Sequence, residues 1–184
     1  MGINWKRKAI HVLSAIGFFL ICQYRPTLVG RVLLLTFFLV LTWEIIRLKL
    51  PKYLPGKDLW LGLLKREERG TLSDATFFLL GLWGASLIVE GEAFGVLILI
   101  LGFADLTAEI VGRTVGRFRL HNGKSLEGAL AFFVITSFLL YGMLSLGTLK
   151  TAIVSFALTL TELLTVRDNL WIPLVGAFFL KMMV

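Results

Sequence analysis

The chain has 184 residues, of which 57% are apolar and 17% are charged, and its formal charge is +7. Soluble domains are about 45–50% apolar and about 25% charged, so this composition excludes an ordinary soluble fold, a disordered tail and a nucleic-acid-binding module. The mean hydropathy of +0.85 instead predicts one integral-membrane domain over residues 1–184, and the lone Cys22 excludes an intrachain disulfide.

Seven apolar stretches follow one another along the chain and predict an all-α polytopic membrane protein with about seven transmembrane helices. The predicted spans cover residues 9–22, 27–46, 72–89, 93–111, 128–146, 151–166 and 171–184. Several of them are shorter than the ~20 residues that cross a typical hydrocarbon core. The first and the last stretch give the weakest signal, so six spans are the alternative.

Basic residues are distributed unequally between the two sides that seven spans define. Fifteen of the 19 Lys and Arg residues fall on the side of the N-terminus, in the segments 6–8, 47–69 and 113–124 and at Arg167. The positive-inside rule therefore predicts that the N-terminus and this side are cytoplasmic. The segment 47–69 leaves open whether it forms a lid, an interfacial helix or a linker.

Six ionisable side chains fall within the predicted spans, where the loss of hydration makes a charge costly. They come from five spans, and the topology assigns all of them to the cytoplasmic end: His11, Glu44, Asp74, Asp105, Glu109 and Glu162. A structural pair, such as Glu44 with Arg47, is an alternative explanation for any one of them. Together they predict a single polar chamber that opens toward the cytosol.

The end of the fourth span carries the strongest chemical pattern. Asp105 and Glu109 are four residues apart, so on a helix they share one face with Ala108 and Gly112. Two carboxylates beside a surface with little side-chain bulk suit a hard divalent cation such as Mg²⁺, which also binds substrate phosphates. The spacing of Gly112 and Gly116 also fits a helix-packing motif.

A basic loop follows this pattern and includes Arg117, Lys124 and Ser125. Such a loop is suited to polyphosphate binding, although its cations also satisfy the positive-inside rule and would contact anionic lipid headgroups. Asp168 and Asn169, before the last span, offer further oxygen ligands, but this pair is also an ordinary helix N-cap signal.

The central pattern of the chain consists of Asp105, Ala108, Glu109, Gly112, Arg113 and Gly116, followed by Lys124, Ser125, Glu127 and Gly128. This pattern resembles the CTP-dependent polyprenol kinases, which include dolichol, phytol and farnesol kinases and are distantly similar to the phosphatidate cytidylyltransferases. Weaker matches are Arg7-Lys8 with His11, Glu44 with Arg47, and Glu162 with Asp168-Asn169. The chain departs from the family at Glu109, where Asp is frequent, and at Arg167, where a second acid is frequent.

The resemblance implies that the protein transfers a phosphoryl group from CTP to a membrane isoprenoid alcohol at the cytoplasmic face of the cell membrane. Asp105, Glu109 and Asp168 would hold Mg²⁺, and Asp105 would also be catalytic. The nucleotide phosphates would be bound by Arg113, Arg117, Lys124, Ser125 and Asn169, and the base would be Glu127 or Glu162. The expected partners are the lipid alcohol, the nucleotide and the bilayer, with no nucleic acid, and a homodimer is compatible with the cytidylyltransferase resemblance.

Other functions remain as alternatives. A cytidylyltransferase-like enzyme would release pyrophosphate and form a CDP-lipid, whereas a CTP-dependent diacylglycerol kinase would differ only in its acceptor. A small cation-coupled transporter would use the carboxylates as an ion site, but transporters of that kind have repeated halves and charges near the midplane. The chain has no convincing internal repeat and its charges cluster at one end, which favours an enzyme.

Overall fold

The computed structural model describes residues 4–50, 62–120 and 123–183. Seven α-helices lie within these ranges: α1 (Trp5–Tyr24), α2 (Pro26–Lys49), α3 (Asp74–Ser86), α4 (Gly91–Thr114), α5 (Leu126–Leu144), α6 (Thr148–Leu164) and α7 (Asp168–Met183). A short 3₁₀ helix, Arg66–Gly70, precedes α3, and α4 contains a π-helical turn at Ile100–Ala104. The described residues include no β-strand, so the predicted all-α class is confirmed.

Three of the described helices, α2, α4 and α5, are long and apolar enough to cross a membrane. Each of the seven predicted spans overlaps one of the seven helices described above. However, α3 has only 13 residues, or ~20 Å at ~1.5 Å per residue, which is less than the ~30 Å of a hydrocarbon core. The apolar helices indicate a membrane protein, whereas seven crossings and a cytoplasmic N-terminus stay predictions.

Local sequence signals explain where several helices begin. The side chain of Asn4 accepts a hydrogen bond from the backbone amide of Arg7 and caps α1. Pro26 occupies the first turn of α2, where the amide that it lacks has no helical partner. Ser125 caps α5 by accepting a hydrogen bond from Gly128 N at 3.0 Å. The caps of α1 and α5 fix the ends of these helices that contribute to the cavity described below, whereas Pro26 begins α2 at the opposite end.

Helix α4 forms the centre of the bundle, since Phe94, Leu97 and Ile98 are fully buried. Small residues bring other helices close to it. A Cβ atom added to Gly102 would lie 2.6 Å from Ala15 Cβ of α1, and one added to Gly176 of α7 would collide with Leu97. Neighbouring helices thus approach α4 too closely for larger side chains at these positions.

The start of α5 packs on the end of α4 through glycine. A Cβ atom added to Gly128 would lie 2.7 Å from the carbonyl oxygen of Ala108, and one added to Gly112 would lie 2.9 Å from Ser125 Oγ. The predicted packing role is therefore confirmed for Gly112. It keeps the last three turns of α4, which carry Asp105 and Glu109, against the N-terminus of α5.

Candidate active site

A cavity of about 1050 Å³ lies at the end of the bundle where α1, α3, α5 and α7 begin and α2, α4 and α6 end. All six ionisable residues of the predicted chamber line it: His11, Glu44, Asp74, Asp105, Glu109 and Glu162. The gathering of these groups in one chamber is thus confirmed. That the chamber faces the cytosol stays a prediction.

Lys8 lies between the two carboxylates at the end of α4. Its Nζ is 2.8 Å from Asp105 Oδ2 and 2.5 Å from Glu109 Oε2, and the residue is only 5% exposed. Arg113 contacts the other carboxylate oxygen of Glu109 at 2.6 Å, and Arg7 is 3.6 Å from Glu109. These cations allow two neighbouring carboxylates, which would otherwise repel each other, to remain ionised.

The π-helical turn of α4 ends immediately before Asp105. Within it, the carbonyl oxygen of Leu101 is 3.0 Å from Nε2 of His11 on α1. A π turn interrupts the regular bonding of an α-helix, and such turns are frequent at functional sites. His11 thus ties the irregular turn to α1 and helps to position Asp105.

Lys124 forms a second cluster with carboxylates from α6 and α7. Its Nζ lies 3.0 Å from Glu162 Oε1 and 2.9 Å from Asp168 Oδ2, and it also donates to the carbonyl oxygen of Glu162. Burial lowers the pKa of Lys124, but the carboxylates of Asp168 and Glu162 outweigh this effect and raise the pKa above its ordinary value. Lys124 thus places a cation in the cavity lining.

Asp74, the first residue of α3, is the centre of a third cluster. Its carboxylate lies 2.5 Å from Lys65 Nζ, 3.5 Å from Arg7 and 3.6 Å from Arg167. The sequence predicts that Asp74 belongs to the chamber but assigns it no role in binding or catalysis. The signal that identifies it is its position as an ionisable residue in an apolar stretch.

Arg47 holds the segment that leads into α3. Its guanidinium pairs with Glu44 and donates to the carbonyl oxygens of Glu68 and Arg69, both at 3.1 Å, and of Thr71 at 2.6 Å. The carboxylate of Glu68 in turn accepts hydrogen bonds from backbone amides at both ends of the segment. Of the segment 47–69, residues 51–61, with Pro51 and Pro55, lie outside the described residues.

Three predicted site residues take part mainly in local structure. Ser125 lines the cavity, but its hydroxyl oxygen is the cap of α5. Glu127 Oε1 accepts hydrogen bonds from the backbone amides of Arg117, at 2.9 Å, and Phe118, at 3.2 Å. Arg117 and Glu127 are absent from the cavity lining, so Glu162 is the better placed of the two candidate bases. His121 and Asn122, which belong to the basic loop between α4 and α5 in the sequence, lie outside the described residues.

The carboxylates predicted to bind Mg²⁺ do not form a ready metal site. In the parts of the chain that the structure describes, no three His, Cys, Asp or Glu side chains are grouped so as to hold a metal ion. Asp105 and Glu109 instead pair with Lys8, whereas Asp168 pairs with Lys124.

The oxygen chemistry of the cavity nevertheless suits a hard cation. Glu162 Oε2 and Asn169 Oδ1 are buried acceptors in the cavity lining, and the described residues give them no hydrogen-bond donor. Buried acceptors without a donor are unusual in folded proteins, and oxygen atoms are the ligands that Mg²⁺ prefers. These two atoms lie on helices α6 and α7, beside the cluster of Lys124.

Comparisons with known proteins identify lipid kinases among the relatives. CTP-dependent diacylglycerol kinase 1 of Schizosaccharomyces pombe is 30% identical over 142 residues, which cover 73% of this chain and 64% of the relative. The protein of the same name from Eremothecium gossypii is 34% identical over 136 residues, covering 70% and 42%. An uncharacterised protein of Methanocaldococcus jannaschii is 29% identical over 134 residues, covering 70% and 68%.

The similarity has limits that bear on function. The chain spans less than two thirds of the length of either diacylglycerol kinase. No protein-family model and no solved structure matches the sequence. The chain is therefore similar to CTP-dependent lipid kinases whose names specify diacylglycerol, and not a polyprenol, as the acceptor.

Proposed function

We propose that the protein is a CTP-dependent lipid kinase that phosphorylates the hydroxyl group of diacylglycerol. The observation that carries this proposal is the similarity to two CTP-dependent diacylglycerol kinases over about 70% of the chain. The cavity adds support, because cationic and carboxylate side chains line one end and apolar side chains line the other. A nucleotide and a lipid require such a combination.

The size of the cavity also fits two substrates. Its volume of about 1050 Å³ is at the upper end of the ~300–1,000 Å³ that pockets for one small ligand occupy. Lys124 and Arg113 line the cavity as cations suited to the triphosphate of CTP. Phosphoryl transfer depends mainly on positioning the reactants and neutralising phosphate charge, which this arrangement supplies.

The proposed reaction is a displacement at the γ-phosphorus of CTP. The hydroxyl oxygen of the lipid bonds to that phosphorus, the bond to the β–γ bridging oxygen breaks, and CDP leaves with the electron pair. Glu162 accepts the hydroxyl proton. Asp105, Glu109 and Asp168 are the residues that would hold Mg²⁺, which when bound neutralises charge on the phosphates.

A polyprenol is the second candidate acceptor. The spacing of Asp105, Glu109 and Gly112 and of Lys124 and Ser125 resembles the polyprenol kinase pattern. The two acceptors require the same chemistry at the hydroxyl group and differ only in the lipid, so one assay with both lipids decides between them.

The decisive experiment is a phosphorylation assay with purified protein in detergent. CTP labelled on the γ-phosphate is incubated with Mg²⁺ and either diacylglycerol or a polyprenol, and the labelled lipid is separated. We expect labelled phosphatidate and CDP from the first reaction. Labelled polyprenyl phosphate alone would select the second acceptor, and release of pyrophosphate would indicate a cytidylyltransferase.

Variants of α4 provide the matched controls. Asp105→Asn removes a carboxylate from the cavity and should reduce turnover by at least about 100-fold. Glu92→Gln removes an exposed carboxylate from the opposite end of the same helix and should leave turnover unchanged. Equal activity of the two variants, or equal use of ATP and CTP by the unaltered protein, would contradict the proposal.

A further inference from the structure

The cavity continues from its charged end into the bundle between α1, α2 and α3. We call this continuation the apolar limb. It is lined by Ser14 and Phe18 of α1, Thr36 and Val40 of α2, and Phe78 and Leu79 of α3. None of these six side chains carries a charge, so the limb differs sharply from the end that contains Lys8 and Lys124.

Aromatic contacts make the wall of the limb continuous with the charged end. The ring of Phe78 lies 4.6 Å from that of His11, measured between centroids, and 6.5 Å from that of Phe18. His11 itself contacts the π turn next to Asp105. A molecule in the limb would therefore have one end beside the carboxylates of α4.

The cavity lining follows a stripe along α2. On α2 the lining residues Thr36, Val40, Trp43 and Arg47 recur every three or four positions, so they share one face. Arg47 lies eleven positions after Thr36, which corresponds to ~16 Å of helix at ~1.5 Å per residue. This is about half of a ~30 Å hydrocarbon core, and the charged group is at one end only.

The limb is open at its side. Ile10 of α1 and Leu39 of α2 both belong to the cavity lining, yet they are 50% and 63% exposed. Apolar side chains that line a cavity and are also exposed mark its opening, and around a membrane protein that opening faces lipid. We infer that a hydrocarbon chain enters the cavity at these exposed residues of α1 and α2.

We propose that the apolar limb holds a hydrocarbon chain of the acceptor lipid, with the acceptor hydroxyl group at the charged end. This assignment rests on the proposed lipid kinase function and adds the site that recognises the lipid. The acceptor is favoured over bulk phospholipid because the limb leads directly to Asp105 and Lys124, where a phosphocholine headgroup would occupy the space needed by the nucleotide. Val40 of α2 and Ser14 of α1 both line the limb, so a larger side chain at either position would narrow it.

The first test places a bulky side chain in the limb. Val40→Trp should lower kcat/KM for long-chain diacylglycerol about tenfold. The kcat/KM for dioctanoylglycerol should fall by no more than about twofold, and the KM for CTP should be unchanged. Leu35→Trp is the matched control, because Leu35 lies on the same helix, is 63% exposed and is not part of the lining. It should behave like the unaltered protein with both lipids.

The same comparison defines failure of the proposal. If Val40→Trp and Leu35→Trp give the same dependence on chain length, the limb does not hold the acceptor. If Val40→Trp does not fold, Ser14→Leu narrows the limb from α1 and is judged by the same ratio of long-chain to short-chain activity.

A second measurement does not depend on catalysis. A photoactivatable diacylglycerol is crosslinked to the unaltered protein and the labelled residues are mapped by mass spectrometry, with a photoactivatable phosphatidylcholine in parallel. Labelling of the limb by diacylglycerol alone supports the proposal even if no lipid is phosphorylated, in which case only the kinase function fails. Labelling elsewhere, or equal labelling by both lipids, overturns it.

Discussion

The ammonium group of Lys8 and the carboxylate of Asp105 are 2.8 Å apart, although 97 positions separate the two residues in the sequence. The contact joins the first turn of α1 to the part of α4 that follows the π turn. Because Lys8 also contacts Glu109, one buried cation balances the two carboxylates that the sequence assigns to a metal. The assembly of the charged end therefore depends on α1 as much as on α4.

Replacement of Lys8 by methionine should destabilise the protein. The substitution removes the ion-pair partner of Asp105 and leaves Glu109 with its contacts to Arg113 and Arg7. Removing one partner of a buried ion pair typically costs about 3–5 kcal/mol. We expect a lower unfolding temperature in detergent, and we expect Mg²⁺ to raise it more in the variant than in the unaltered protein, since the metal restores positive charge. Lys6→Met is the control, because Lys6 is exposed on the same helix. Equal unfolding temperatures for the two variants would contradict the role of Lys8.

Replacement of Arg47 should loosen the segment that carries Lys65 and Asp74. Arg47→Met removes hydrogen bonds to three carbonyl oxygens and leaves the carboxylate of Glu44 buried and unpaired, so we expect a loss of about 3 kcal/mol. Limited proteolysis should show faster cleavage between residues 62 and 73. Lys49→Met changes an exposed position two residues further along α2, and this variant should be cleaved at the same rate as the unaltered protein. Unchanged cleavage in both variants would argue against the Arg47 clamp.

Much of the fold could be predicted because apolar stretches of helical length dominate the chain. The π turn of α4 could not be predicted, since residues 100–104 are uniformly apolar or small and give no periodicity that separates it from an α-helix. The predicted span 72–89 is longer than α3, whose 13 residues fall short of the ~20 that cross a hydrocarbon core.

The chamber could be predicted from the cost of burying charge, but its pairings could not. Lys8 lies outside the predicted span 9–22, so the cost of burying charge does not identify it, and its distance in sequence from Asp105 hides the contact. Glu127 was assigned to the site by its place in the motif. Its carboxylate points instead to the amides of Arg117 and Phe118, an orientation that depends on the path of the loop.

The substitution Gly128→Ala should separate α5 from α4. The added Cβ atom would lie 2.7 Å from the carbonyl oxygen of Ala108, and backbone cannot move aside as a flexible side chain can. Overpacking of this kind typically costs about 1–3 kcal/mol, so we expect a lower unfolding temperature and weaker CTP binding. Gly142→Ala, on the same helix, meets nothing within 4 Å and should be neutral or stabilising by up to about 1 kcal/mol. Similar effects of the two substitutions would show that the close approach is unimportant.

The two candidate bases can be separated by one pair of isosteric substitutions. Glu162→Gln keeps the size of the side chain but removes a proton acceptor from the cavity, so turnover should fall by about 100-fold while the KM for CTP changes little. Glu127→Gln should retain turnover within about threefold, because an amide oxygen can still accept the hydrogen bonds from Arg117 and Phe118. Phosphatidate formation, measured at saturating CTP and diacylglycerol, compares the two variants directly. Loss of activity in Glu127→Gln with retention in Glu162→Gln would transfer the role of base to Glu127 and require the 117–127 loop to turn toward the cavity.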